Sequence, residues 1–347
     1  GFENIQTLEF NQLYNLNETD LYLSILKSGD FREDSGIYFS NGKFTGLLSV
    51  DSNMINFEKL PKVDFYGSAF AGGASGYPLM FDNYTKDQKI EICKRSKNFV
   101  KKKKFDHLGN IKPKFFMPYA GFFQEKLIRD KEVFDNNQKN SIDDYEEYCK
   151  KNEIQILNVL DNDFYKFNGN ELIKITKIKK EYFKDLTPDQ YLKYFKDEFK
   201  FIDENYIKKY FLKSKFKENL LLYICLTDDD FKTIDINYLV DFSKNVIEFT
   251  VIDSLNENFL NENIEHKKLI LKIRKESFLN TIYNKLPWED LLIGFQCKVL
   301  RNPNVYNVNF WNHFTNIYIT SKSVRSVTQC GSCQKIDEFF DNQILAI

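Results

Sequence analysis

Lys62-Val63-Asp64-Phe65-Tyr66-Gly67-Ser68-Ala69-Phe70-Ala71-Gly72-Gly73-Ala74-Ser75-Gly76-Tyr77-Pro78 begins as an apolar, β-rich run and ends in glycine, alanine and serine. A run of that kind reads as a buried strand whose exit loop is built for close approach. Downstream, Lys86 to Lys104 reads as a helix with a lysine-rich end, which complements the helix dipole. Phe115-Phe116-Met117-Pro118 and Ile154 to Leu160 read as further buried strands. Strand, loop, helix, strand is the rhythm of an α/β fold. Upstream the pattern is β. Leu21 to Leu26 is a short apolar run, and Ile37 to Ser40 and Lys43 to Val50 flank Asn41-Gly42, the dipeptide of two-residue hairpin turns.

The character shifts near residue 185, and a boundary is expected between about 165 and 190. Thr187-Pro188-Asp189 is a helix start, and the segment to about Lys213 reads as one helix rich in Phe, Tyr and Lys. Strand-like runs follow at Leu220 to Leu226, Val246 to Asp253 and Lys268 to Arg274, then a helix from about Glu276 to Lys285 and a strand from Phe295 to Leu300. That order describes a separate α+β unit. The expected division is a domain over 1–170, a second over 185–315, and a tail over 316–347.

Composition narrows the class. The 347 residues are enough for two cores, and a net charge of −1 provides no global field for nucleic acid or an anionic membrane. No apolar run approaches the roughly 20 residues of a membrane span. The chain begins Gly1-Phe2-Glu3-Asn4, without a visible signal peptide and without Met, as a chain that was processed, was trimmed or starts partway through a longer protein would. The 34 Phe and 20 Tyr read as the bias of an AT-rich coding sequence. Six scattered cysteines suit reduced thiols and a cytoplasmic location. With only three histidines, His107, His266 and His313, a metal site of three to five His ligands is not expected from this chain.

Several residues could carry chemistry. Asp51 stands where a strand ends and a polar loop, Ser52-Asn53, begins, which is where α/β proteins place ligand groups; the plainer reading is a loop-capping Asx turn. The glycines of 71–78 could cradle an anion or could simply let two elements pack. Tyr119, after the 115–118 strand, offers a phenol beside that loop, with core packing as the plainer reading. Lys101 to Lys104 reads as a solvated helix end rather than a phosphate patch. Cys330-Gly331-Ser332-Cys333 is half a zinc site or a redox pair with nothing to complete it, and His313 reads as a packed histidine.

Taken together, Val50-Asp51, Leu60-Pro61-Lys62-Val63, Phe70 to Pro78, Pro118 to Phe123, Trp288 to Gln296, Arg301 to Tyr306 and Phe310-Trp311-Asn312-His313-Phe314 resemble the CMP-N-acetylneuraminate hydroxylase family, in order from about residue 34 to 314. The resemblance implies a Rieske iron–sulfur domain, a metallo-β-lactamase fold and a C-terminal extension. This chain would then hold the second half of the αββα sandwich, followed by a smaller α+β domain similar to sterol-carrier-protein-like modules. The HxHxDH motif and the Rieske motifs do not occur here, and Gly29-Asp30-Phe31-Arg32-Glu33 stands where a further histidine is expected.

The resemblance further implies that Asp51 is a ligand of zinc or iron, and that a Rieske 2Fe-2S cluster would come from another domain. Ser52, Asn53, Gly72, Gly73, Ser75, Tyr77 and Tyr119 would line a pocket for a sugar nucleotide or another small molecule. An electron-donor protein would be the partner; neither nucleic acid nor a membrane is expected. The leading expectation is the C-terminal part of a protein hydroxylating a CMP-linked sialic acid, inactive by itself. Two other readings stay open: a zinc-dependent hydrolase of esters or phosphodiesters, and a non-enzymatic ligand-binding or scaffold module.

Overall fold

A computed structural model describes residues 6–16, 19–28, 34–50, 52, 60–73, 75–122, 127–161, 163–169, 171–177, 186–232, 234–254 and 265–318. The fold is mixed α/β, and the chain divides into two compact units. The first comprises Gly1–Gly73, Lys94–Phe123 and Gln138–Phe183; the second comprises Ala74–Cys93, Gln124–Asn137 and Lys184–Ile347.

The first unit is built on a sheet whose spatial order follows the chain: β1 (Leu13–Asn15), β2 (Tyr22–Lys27), β3 (Ser35–Ser40), β4 (Thr45–Leu48), β5 (Phe65–Ala69), β6 (Phe115–Ala120) and β7 (Gln155–Ile156). Pairing is antiparallel up to β4 and parallel from β4 through β7. Alternation along each strand divides the core. Leu47, Tyr66 and Phe116 pack with Leu108 of α1 (Lys86–Ile111) and with Tyr145 and Cys149 of α3 (Asp143–Lys151). Phe65 and Phe115 pack the other way, with Phe44 and Leu157 and with Phe167 and Leu172 of the hairpin β8 (Asp163–Asn168) and β9 (Glu171–Lys177). A short helix, α2 (Lys131–Asn136), belongs to the second unit.

Three local expectations need correction. Asn41-Gly42 does not make a two-residue turn, because Ser40 pairs with Thr45 and leaves a four-residue loop. Asn41 Oδ1 accepts from the amides of Lys43 (3.1 Å) and Phe44 (2.8 Å), and the wider loop lets the Phe44 ring stack on Phe167 at 4.6 Å. The 86–104 helix runs on to Ile111, since Phe105, Leu108 and Ile111 extend its apolar face. Lys104 is therefore not a solvated end; it is 3% exposed. The segment from 187 to 213 is two helices, α4 (Pro188–Glu198) and α5 (Glu204–Ser214). Thr187 starts α4 with a capping box, exchanging bonds with Gln190, and Asp203 caps α5 through the Tyr206 amide at 2.9 Å.

The second unit has a five-stranded sheet in the order β12 (Glu248–Ile252), β11 (Ile234–Asp241), β10 (Leu220–Thr227), β13 (Lys267–Arg274) and β14 (Cys297–Asn302). Only the β10–β13 pair is parallel. One face packs against α5, α6 (Lys275–Tyr283) and α7 (Val308–Asn316). Trp288 is fully buried among Phe314 (5.1 Å), Phe310 (5.4 Å) and Phe211 (5.9 Å), and its indole N–H donates to Tyr210 Oη at 2.8 Å. Aromatic side chains make up much of this core.

The sheet ends in a charged knot. Arg274 (side chain 3% exposed) meets Asp130 (1%) at 2.6 Å and also donates to the carbonyls of Asp229 (2.9 Å) and Phe295 (3.0 Å). Arg129 Nη1 reaches the Asp229 carboxylate at 2.5 Å, and Lys196 Nζ bonds its other oxygen. Burial lowers the affinity of the Arg274 guanidinium for its proton, an effect Asp130 and Asp229 oppose. Removing one partner of a desolvated pair strands the other charge, so Asp130→Ala should cost about 3–5 kcal/mol in urea unfolding. At Asp229, burial alone would raise the carboxyl, but the bonds and charges of Lys196 and Arg129 outweigh it and hold the group below its usual 3.8. A folded-state pKa depressed in this way adds stability above the unfolded value, and that stability is lost as pH falls through the folded one. Asp229→Asn should therefore flatten the decline of urea midpoints between about pH 5 and pH 2.

Candidate functional site

Because β4, β5 and β6 are parallel neighbours, their carboxyl ends open onto one edge of the first unit's sheet, the place where open α/β sheets receive ligands. Backbone bonds extend the pairing past the strands: Ser49 N donates to Gly67 O at 3.0 Å and Phe70 N to Ala120 O at 2.9 Å. Between Pro118, opposite Ser68, and Ala120, opposite Ala69, Tyr119 is an extra residue. Such a bulge re-aims a side chain, and bulges recur beside active sites. The Tyr119 ring lies against Gly67, where a Cβ would stand 3.1 Å from it.

The loops beyond these strands are held by specific contacts. Gly121, at φ +124°, faces Ala71 so closely that a Cβ would lie 2.9 Å from the Ala71 amide nitrogen. Only glycine satisfies both the backbone angle and that gap. Tyr145 Oη donates to Phe70 O at 2.5 Å, and Lys139 Nζ to Gly73 O at 2.6 Å. A Cβ on Gly73 would meet nothing within 4 Å. This stretch thus combines packing, at Ala71, with open backbone, at Gly73.

Beneath the edge lies a buried polar cluster. Tyr66 Oη accepts from Ser49 Oγ at 3.1 Å and from Lys104 Nζ at 3.3 Å, and lies 3.3 Å from His107 Nδ1. Lys104 Nζ also donates to Ser68 Oγ and stands 5.3 Å from the Tyr66 ring centroid. Lys104 and His107 are 3% and 5% exposed. Ser52, 1% exposed, joins through its amide to Ser49 O at 2.6 Å, while its buried Oγ has no hydrogen-bond partner among the described residues. A buried hydroxyl without a partner is uncommon and marks a place where a further polar group fits. Tyr66, Lys104 and His107 were not among the expected site residues. The signal was present: Lys104, His107, Leu108 and Ile111 recur at helical spacing, and the expected helix end at Lys104 concealed it.

Of the expected pocket residues, Ser52, Gly72, Gly73 and Tyr119 fall along this edge. Ser75 and Tyr77 belong to the second unit. Ser75 bridges Ile293 and accepts from the Tyr77 amide at 3.2 Å, and the Tyr77 ring packs on Phe81 (5.1 Å) and Tyr84 (5.9 Å). Asp51, Asn53, Cys330 and Cys333 lie outside the described residues.

The described side chains do not fit a metal or an iron–sulfur group. Among the described residues no three His, Cys, Asp or Glu side chains converge. His107 is in the hydroxyl cluster, His266 bonds the Asn219 side chain, and His313 Nε2 lies 2.9 Å from Ser214 O as a packed histidine would. Burial pushes the Cys149 and Cys225 thiols up to about 11 and Cys297 to about 12, away from the thiolate a metal needs. No helix among the described residues is long and apolar enough to cross a membrane.

The chain is 31% identical over 290 residues to the cytidine monophosphate-N-acetylneuraminic acid hydroxylase of Danio rerio, covering 77% of this chain and 47% of the relative. With the enzyme of that name from Mus musculus it shares 30% over 339 residues, 90% of this chain and 56% of the relative. With that from Macaca mulatta it shares 28% over 309 residues, 82% and 50% respectively. The chain is homologous to these hydroxylases. It spans about half the length of the curated hydroxylases it matches. No family model matches the chain, and no solved structure matches it.

The Tyr66 hydroxyl is the hinge of the cluster. Tyr66→Phe leaves Ser49, Lys104 and His107 short of a partner, and should lower stability by about 1–3 kcal/mol in urea unfolding.

Proposed function

We propose that this chain is a portion of a hydroxylase of CMP-linked sialic acid, and that the strand-end edge of its first unit receives the sugar nucleotide. The observation that carries the reading is the match to hydroxylases at 28–31% identity over 77–90% of the chain. The geometry supports it: parallel strand ends, a bulged Tyr119, the open backbone at Gly73 and the unpartnered Ser52 hydroxyl occupy one edge. In this reading Tyr119, Ser52 and Asn53 hydrogen-bond the sugar's polar groups, and the Gly72–Gly73 backbone lies along it. Ser75 and Tyr77, in the second unit, stay candidate substrate-binding residues. Lys104 and His107 act from below, as positioning residues that hold Tyr66 and Ser68. Asp51 is proposed as a ligand of zinc or iron, the redox chemistry being supplied in the longer protein with an electron-donor partner. The sheet is proposed to be the second half of a metallo-β-lactamase-like sandwich, and the second unit a sterol-carrier-protein-like module, in a cytoplasmic protein.

Calorimetric titration of the chain with CMP-N-acetylneuraminic acid tests the reading. Saturable binding is expected, weakened about 10-fold by Tyr119→Phe and by Ser52→Ala, the loss of one buried hydrogen bond each. No heat of binding, or variants indistinguishable from the parent, would remove the support for this site.

A further inference from the structure

At the edge of the second unit's sheet, positive charge gathers that its carboxylates do not balance. Lys272 of β13 and Lys298 of β14 are register partners, so both side chains leave the same face directly opposite one another. Like charges in that relation destabilise an antiparallel pair. Lys89, near the start of α1 and part of the same unit, adds a third ammonium and donates to Leu79 O at 2.9 Å. Burial lowers the Lys89 pKa, Asp82 works against that, and the Lys298 charge adds to it. Asp82 is the carboxylate within the group, 3.9 Å from Lys272 Nζ.

The scaffold holding these side chains is rigid. Val299 N donates to Met80 O and Asp82 N to Val299 O, both at 2.8 Å, so the segment before α1 runs beside β14 and fixes Asp82 on the rim. Phe231 backs the cluster: its ring lies 5.3 Å from Lys298 Nζ and 4.6 Å from the Arg274 guanidinium. Lys272 and Asp82 keep 35% and 32% of their side chains exposed, so the group is reachable from solvent. Among the described residues, Asp82 is the one carboxylate in an ion pair with any of the three. Chance surface lysines would spread apart, whereas here β-register, helix start and flanking segment bring them together.

We propose that Lys89, Lys272 and Lys298 form a binding site for the phosphate group of a small molecule. Lys272 and Lys298 stand opposite one another, and Lys89 Nζ is held on the carbonyl of Leu79, next to the Met80 that bonds Val299. Such point-charge donors suit a tetrahedral dianion, which offers more charge and more acceptor oxygens than a carboxylate. The bound anion relieves the Lys272–Lys298 repulsion, so occupancy and stability are linked. Lys89, Lys272 and Lys298 all belong to the second unit and are none of the residues at the first unit's strand-end edge.

Thermal unfolding of the full chain, at constant ionic strength set with chloride, is followed with added inorganic phosphate and separately with CMP. Phosphate should raise the parent's midpoint by a few degrees. Lys298→Gln and Lys272→Gln should each unfold no earlier than the parent without phosphate, because a repulsion is gone. Their response to phosphate should be weaker, with affinity down about 10-fold or more. A larger shift with CMP than with phosphate, diminished in both Lys298→Gln and Lys272→Gln, assigns the site to a nucleotide; a CMP shift that both variants keep in full belongs elsewhere, and equal shifts assign the site to free phosphate. No phosphate-dependent shift in the parent, or the same shift in both variants, overturns the site.

Discussion

An ammonium removed from water must be solvated by the protein, and Lys104 is the point at which this chain meets that demand. Its Nζ is held by Ser68 of β5 and by the Tyr66 hydroxyl, which also takes Ser49 at the end of β4 and faces His107 one turn further along α1. Those bonds set the depth and rotation of α1 against the sheet. They also set where β4 and β5 release their loops, and hence where Ser52 and Gly72–Gly73 stand. An apolar residue at 104 would tolerate small slips of the helix. A charged one does not, because every slip uncovers an unsatisfied donor.

Legibility in the sequence followed the same physics. Continuous apolar runs, at 115–118 and 220–226, were readable because a buried strand needs nothing else, and 62–70 and 268–274 were readable from the apolar residues that dominate them. β11 was not, since Asp235, Asn237 and Asp241 interrupt its apolar residues Ile236, Tyr238, Leu239 and Val240, a half-polar pattern easily taken for a connection. The break between α4 and α5 was hidden because 200–203 keeps Phe201 and Ile202 in an apolar rhythm. In the site, Gly73 and Tyr119 could be marked from their position after strands. Lys104 was missed, because lysine at an expected helix end is ordinarily solvated, whereas α1 runs on past it and turns it inward onto Ser68 of β5.

The motifs most responsible for the family resemblance are not all functional surface. Trp288, Phe310, Trp311 and Phe314 are the interior of the second unit, and the Trp288–Tyr210 hydrogen bond satisfies the one polar atom that burial of an indole leaves exposed to cost. Gly121 is the counterpart in the first unit: its backbone angle and its approach to Ala71 are structural demands, met at the same edge where the ligand is proposed to lie.

The chain passes between its two units repeatedly, contributing 74–93 and 124–137 to the second while the first is still incomplete. No single cleavage of the backbone therefore separates them, and neither can be excised as one contiguous piece. During synthesis the first unit cannot close until 138–183 has emerged, after two segments of its neighbour have already been made. Genetic shuffling of either unit as a cassette is thereby barred; the pair is inherited, expressed and lost together.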